Sequence, residues 1–490
     1  MKNKKKSLTI NAILNAVKQG CSVLFPFVSF VYCSRVLGTD GIGIYSFGQS
    51  IVAYFLLVAV LGIPNYAIRE GSRIRDNRKG LVQFINQVFS INCIMTVVSY
   101  VLLFICLFYV NKLGSYRIVI LIQSIQIILT TLGADWINSI FEDYGYLAVR
   151  YIIIQIISIV CLVIFVKDQN DIYLYTLITM LSNAGGNILN WFYLRREYNL
   201  KVSFTLKMHW NKHIKAIAIL FVNSIAVIIY MNSDITMLGF FTTDKSVGIY
   251  TVSSKIYSMI KTLINAIIMV TIPRFSYYIA NDKKEEYKNS LFEIFNILFI
   301  IIYPCLLGMF LEAKKILYLV AGTGYLEGEN VVRILSIALI FAVYACFFSY
   351  SVLIPNRLEK YFLIATIIAA IVNIILNFYF IPLWDMNGAA ITTLIAEILV
   401  CLISAYYAHK NTQVDFVSKD LISVLISGIG IVLICSIIDN LIDNYIIALI
   451  CDIFASVIVY AGLLFVFQNN IIRKLYLTAT TVTISINKAF

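Results

Sequence analysis

The chain reads as an all-α integral membrane protein. About fourteen transmembrane helices are expected, as two parallel-related six-helix lobes around a central cavity plus two C-terminal helices. Three observations predict this class. First, 60% of the 490 residues are hydrophobic, 13% are charged and the mean hydropathy is +0.87, whereas soluble domains are about a quarter charged. Second, the apolar residues fall in unbroken runs of about 20, the length that crosses a hydrocarbon core as a helix. A membrane barrel would instead alternate over about ten-residue strands. Third, one pattern occurs twice. Arg35–Tyr45 reads RVLGTDGIGIY and leads through an apolar span to GIPNYAIRE, ending at Glu70. Asp234–Tyr250 reads DITMLGFFTTDKSVGIY, and Ile272-Pro273 follows as Ile63-Pro64 does in the first copy.

Taken in order, apolar windows place spans near 10–34, 43–64, 81–109, 118–139, 150–166 and 172–194. A second set lies near 216–240, 247–272, 291–311, 331–354, 361–382 and 388–408, and a last pair near 421–438 and 445–467. The repeat and an even number of spans per half predict two copies of one orientation, related by an axis along the membrane normal. The expected lobes are 1–200 and 201–410, followed by the last two helices and a cytoplasmic tail over 411–490. Lys2, Lys4, Lys5 and Lys6 precede the first span without a small-residue cleavage site, which reads as an uncleaved helix.

Orientation follows from Lys and Arg. The richest loops are 69–79, with Arg69, Arg73, Arg75, Arg78 and Lys79, and 195–215, with Arg195, Arg196, Lys201, Lys207, Lys212 and Lys215. Both lie on the side of the termini, so the positive-inside rule puts both termini in the cytoplasm. The formal net charge of +12 is then topology signal and attraction to anionic lipid, not a nucleic-acid footprint.

Charges inside spans are costly, about 2.5–3.5 kcal/mol at a helix centre, and they mark candidates. The bases are Lys18, Lys255, Lys261 and Arg333, with Arg35 at the end of the first span. Arg333 lies near a span end, where its head can snorkel. Polar neighbours recur at helical spacing beside two of the lysines: Asn11, Asn15 and Ser22 around Lys18, and Ser254, Ser258 and Asn265 around Lys261. The acids are Asp234, Glu397 and Asp135. Each could pair with a span cation, hold an ion or carry a proton.

Some chemistry is not signalled. There is no P-loop pattern, no H-E-x-x-H, no D-x-D and no C-x-x-C among the ten cysteines. The three histidines, His209, His213 and His409, are expected in cytoplasmic loops. No nucleophile, metal or acid–base constellation supports a membrane enzyme acting on lipid-linked sugars. A cation-coupled multidrug exporter would line its cavity with carboxylates and aromatics; here span bases match or outnumber central acids. A passive scramblase would look the same in sequence as a coupled carrier.

Several motifs, in this order, resemble the Wzx-type polysaccharide flippases of the multidrug/oligosaccharidyl-lipid/polysaccharide exporter superfamily. They are Ser34-Arg35-Val36-Leu37-Gly38 with Gly43-Ile44-Tyr45-Ser46, Tyr66-Ala67-Ile68-Arg69-Glu70, Asp135-Trp136, and Phe141-Glu142-Asp143. In the second half come Asp234, Met237-Leu238-Gly239, Val247-Gly248-Ile249-Tyr250, Ile354-Pro355-Asn356, and Asn373 through Asn377 to Gly388-Ala389-Ala390. The resemblance implies a protein of the bacterial cytoplasmic membrane that is not an enzyme. Its implied task is flipping an undecaprenyl-pyrophosphate-linked oligosaccharide repeat unit by alternating access, for capsule, O-antigen or another surface polymer. It implies no resident cofactor, coupling to H+ or Na+ being open. The expected partners are the lipid-linked substrate, membrane lipids and the polysaccharide polymerase machinery, with no nucleic acid. On this reading Lys18, Arg35, Lys255 and Lys261 meet the pyrophosphate or an acidic sugar. Arg69 and Arg150, at cytoplasmic span ends, gate or capture the head group. Asp234 and Glu397 couple an ion or pair with those cations.

Overall fold

The computed structural model describes residues 8–414, 416, 420–469 and 473; the side chains of 8–18 and of 223 are outside this description. In chain order the helices are α1 (Leu8–Val60), α2 (Ile63–Arg73), α3 (Arg78–Tyr109), α4 (Arg117–Gly133), α5 (Trp136–Ile140) and α6 (Tyr144–Phe165). Next come α7 (Ile172–Met180), α8 (Gly186–Glu197), α9 (Trp210–Phe241), α10 (Asp244–Met269), α11 (Thr271–Ala280) and α12 (Lys284–Leu311). The remainder are α13 (Ala313–Ala321), α14 (Glu329–Phe347), α15 (Glu359–Thr412), α16 (Asp420–Leu441) and α17 (Tyr445–Val466).

Among the described residues, eleven helical stretches are long and apolar enough to cross a membrane. Two of them, Gln19–Arg73 and Glu359–Thr412, run for 55 and 54 residues, well beyond one crossing at about 1.5 Å per residue. Each contains a break. Gly38 has φ 69° and ψ −174° within α1, and Asp385 has φ 52° and ψ −134° within α15. The first break needs glycine, because a side chain is strained there. The segment 172–197 is divided by a π-helical turn at Leu181–Gly185.

The element order repeats. A two-helix entry is followed by a short amphipathic helix carrying Ile-Pro near its start: α1 then α2, and α9–α10 then α11. Proline is tolerated there because the first turn's N–H groups lack helical partners anyway. A long helix, a 3-10 turn and a further helix come next: α3, Asn111–Tyr116 and α4 in one copy, α12, Thr323–Gly328 and α14 in the other. The second copy inserts α13 between them.

Burial is inverted relative to a soluble protein. Phe108 is 76% exposed and Ile458 70%, while Asn190 and Asn377 are fully buried. Many aliphatic and aromatic side chains face out where lipid would solvate them, and amide side chains such as these point in, where each must find a partner. Asn190 donates to the Gly133 carbonyl at 2.6 Å and accepts from Asn138 at 2.6 Å. These bonds tie α8 to α4 and α5, and Gly133 allows the approach because a Cβ there would overlap Asn187.

The chain forms two compact units, Met1–Thr251 and Val252–Phe490. The first has a core around α2, α3 and α5, built on Ile63, Tyr66, Phe84, Ile85, Trp136 and Ile140. In the second, the halves of α15 pack as a hairpin. Gly388 lies against the Phe380 carbonyl, and Thr392 donates to Asn377 at 2.5 Å.

Expectations about loops are corrected, and one of them is His409, which lies in the last turn of α15. His213 lies not in a loop but within α9, fully buried, with Tyr66 at 2.7 Å and Gln87 at 3.0 Å. The helix begins at Trp210, ahead of the apolar window that marks it in the sequence. Likewise α13 fills part of the interval between the expected spans 291–311 and 331–354, and its Lys315 is buried.

Candidate functional site

In the second unit, one turn of α10 carries Tyr257 and Lys261, and the second half of α15 carries Glu397. Lys261 Nζ sits 2.5 Å from Glu397 Oε1, and the Tyr257 hydroxyl donates to that same oxygen at 2.8 Å. The ammonium also lies over the Tyr257 ring, 5.5 Å from its centroid. Glu397 is 5% exposed at the side chain and Lys261 22%, so the pair is dry on the acid side and partly open on the base side. Asn265, one turn further along α10, has a buried Oδ1 without a hydrogen-bond partner. Cys346 and Tyr350 are electrostatic neighbours of the lysine. The result is a buried charge pair with an aromatic wall and an acceptor oxygen on Asn265. Lys255 lies earlier on α10 and is half-buried.

In the first unit, Asp234 is buried and accepts from the Tyr250 hydroxyl at 2.6 Å, joining α9 to α10. Arg35 is exposed near the break in α1. Lys18 belongs to α1, but its side chain falls outside the described residues. Arg69 is 51% exposed and pairs with its neighbour Glu70 at 2.9 Å. Arg150 is 10% exposed and meets Asp135 at 2.5 Å; its Nη1 has no hydrogen-bond partner. Thus the structure brings together Lys261 with Glu397, and Arg150 with Asp135.

One cluster escaped sequence reasoning. Lys315 of α13 is held by Asp439 of α16, by Asp452 of α17 at 2.6 Å and by Glu312 at 2.5 Å. Glu312 and Lys315 lie outside the spans, and burial pushes the Glu312 carboxyl up from the usual carboxylate range, with Lys315 only partly offsetting it. For Lys315, burial would lower the ammonium's pKa, but the three carboxylates outweigh it and hold the group above its ordinary value. Asp452 falls within the expected span 445–467, and nothing in the linear order joins it to Lys315.

Comparison with known proteins gives these arrangements a context. A family model described as "Polysaccharide biosynthesis protein" matches residues 8–279. A protein of Escherichia coli K12 named "Putative O-antigen transporter" is 23% identical over 415 residues, covering 84% of this chain and 99% of the relative. The "Capsular polysaccharide biosynthesis protein CapF" of Staphylococcus aureus is 24% identical over 403 residues, covering 80% and 96%. Among solved structures, "Lipid II flippase MurJ, inward closed conformation" superposes with a TM-score of 0.73 at 18% identity, over 94% of this chain and all of the other. At that identity the likeness is one of fold. The Escherichia coli relative is named a transporter and the superposed structure a flippase, and with more than half of its length matched the chain belongs to the polysaccharide biosynthesis protein family.

Proposed function

We propose that this protein flips an undecaprenyl-pyrophosphate-linked oligosaccharide repeat unit across the bacterial cytoplasmic membrane, by alternating access, for export of a surface polysaccharide. The observation that carries the reading is membership of a polysaccharide biosynthesis family joined to a MurJ-like fold over nearly the whole chain. The O-antigen and capsule names of the relatives point to the same substrate class. A lipid-linked sugar suits such a site because its polar head alone must be sheltered; the tail stays in the bilayer.

In this reading the chain makes fourteen crossings with both termini in the cytoplasm. The breaks at Gly38 and Asp385 each divide a long helix into two crossings, and the π-interrupted 172–197 supplies one more. The moving bodies are the repeat lobes, 1–200 and 201–410. Arg35, Lys18, Lys255 and Lys261 meet the pyrophosphate or an acidic sugar, where Arg gives forked contacts and Lys a point charge. Arg69 and Arg150 act at the cytoplasmic entrance. Glu397 holds Lys261 until the anionic head competes for it, and Asp234 is the candidate for H+ or Na+ coupling.

The test is complementation of a strain lacking its own repeat-unit flippase, scored by surface polysaccharide. Wild type restores it. Arg35→Ala lowers it at unchanged protein level, and Lys261→Met combined with Glu397→Gln, which strands no charge, lowers it as well. Full activity in both variants would remove the cationic substrate site. A wild-type protein that restores no polymer but lowers dye accumulation would favour a small-molecule exporter of the same fold.

A further inference from the structure

A groove of about 380 Å³ opens on the first unit between α6 and α8. Its apolar wall includes Val149, Ile153, Leu189 and Phe192, which are 55%, 52%, 54% and 67% exposed. Two cations, Arg150 and Arg196, complete the lining, with Tyr146 and Tyr193 beside them. The tyrosine rings stack with centroids 3.5 Å apart, and the Arg150 guanidinium lies 5.5 Å from the Tyr146 centroid. Asp143 fixes the stack by accepting from the Tyr193 hydroxyl at 2.6 Å.

The chemistry of this groove has two ends. Arg150 is nine-tenths buried; Asp135 takes Nη2, while Nη1 stays without a partner. Arg150 lines the groove with one carboxylate on its guanidinium, so an anionic oxygen entering beside it gains a charge-assisted contact. Arg196 is exposed in the last turn of α8 and adds a second positive charge. The wall of exposed aliphatic side chains suits acyl chains and nothing water-soluble. The groove lies where α6 starts and α8 ends, beside the loop that carries Lys201 and Lys207. The positive-inside rule assigns that end to the cytoplasmic leaflet, where anionic lipids concentrate on basic surfaces.

We propose that the α6–α8 groove binds an anionic phospholipid of the cytoplasmic leaflet, its phosphate on Arg150 and Arg196 and its chains along Ile153, Leu189 and Phe192. The lipid adds a bridge between the two helices and braces the first unit in the bilayer. Arg150 is shared with the cytoplasmic entrance of the transport reading, whereas Arg196 and Leu189 are not, so variants at those two test the lipid site apart from that reading.

Native mass spectrometry of the purified full chain tests it, with phosphatidylglycerol, phosphatidylcholine and undecaprenyl phosphate titrated separately. Wild type should retain phosphatidylglycerol in preference to phosphatidylcholine. Arg196→Gln should weaken phosphatidylglycerol retention by about tenfold, the scale of one charge-assisted contact. Leu189→Trp, which fills the groove from an exposed position and leaves the ion pair intact, should do the same without altering phosphatidylcholine. Equal retention of the two phospholipids by wild type, or undiminished phosphatidylglycerol in both variants, overturns the site. A clear preference for undecaprenyl phosphate over phosphatidylglycerol overturns the choice of a bilayer lipid in favour of the carrier lipid.

Discussion

Gly43 and Gly248 stand at the same place in the two copies of the repeat, and each is pressed onto the other copy. A methyl group on Gly43 would overlap the Asp244 carbonyl oxygen; one on Gly248 would overlap the Thr39 carbonyl oxygen. Thr39 and Asp244 are themselves equivalent in the repeat, so the contact is self-complementary, as across a two-fold axis. The Tyr116 hydroxyl steadies one side by donating to Asp244 at 2.6 Å.

Replacing either glycine by alanine must push two backbones apart. Gly43→Ala and Gly248→Ala should each destabilise by about 1–3 kcal/mol, the range for overpacking a tight contact. Thermal unfolding in detergent reads the loss, and surface polysaccharide should fall with it. Unchanged melting and transport in both variants would show that the backbones separate freely there.

The Lys261–Glu397 pair makes a prediction of a different shape. Lys261→Met leaves a buried carboxylate without its cation and should cost about 3–5 kcal/mol. Adding Glu397→Gln should recover most of the stability, since no charge is then stranded. Transport should stay low in the double variant if the lysine meets substrate, and should return if the pair serves only to hold α10 against α15.

At Asp234, Asp234→Asn should slow transport and alter its dependence on pH or sodium. Tyr250→Phe, which removes the 2.6 Å donor but keeps the carboxylate, should move the pH dependence less than Asp234→Asn does. Transport assayed in vesicles across a series of pH and sodium gradients decides it. An unchanged dependence in Asp234→Asn assigns the acid to structure.

The Lys315 cluster predicts a pH effect on stability. Because burial raises the Glu312 carboxyl, the folded chain keeps that proton to a higher pH than the unfolded chain does. The contribution to stability is complete below the unfolded value, near 4.3 for a free Glu, and declines as pH rises through the folded value. Glu312→Gln should therefore gain on wild type in melting temperature as pH increases from acid to neutral. Lys315→Met should lose stability, by about 3–5 kcal/mol, because three carboxylates then lack their shared cation. A Glu312→Gln difference that is flat with pH would mean that the carboxyl titrates alike in both states.

Much of this protein was legible in its linear order. Continuous apolar runs declared a helical membrane protein, because lipid requires each backbone amide to be bonded within its own helix. The Gly-Ile-Tyr repeat, with Ile-Pro following, announced two related halves, and the helices come in that duplicated order. Candidate ions were readable as residue types, since a charge inside an apolar run is rare at any spacing. Their partners were not. Nothing in sequence separated by 136 positions tells that Lys261 meets Glu397, or that Lys315 gathers an acid from each of the last two helices. Helix pitch decides which face a residue occupies, but only packing decides which other face it meets. Tertiary structure also moved His213 from a presumed loop into a buried site, because α9 begins ahead of its apolar window where neighbouring helices shelter its polar end, and it buried Lys315 on the separate short helix α13.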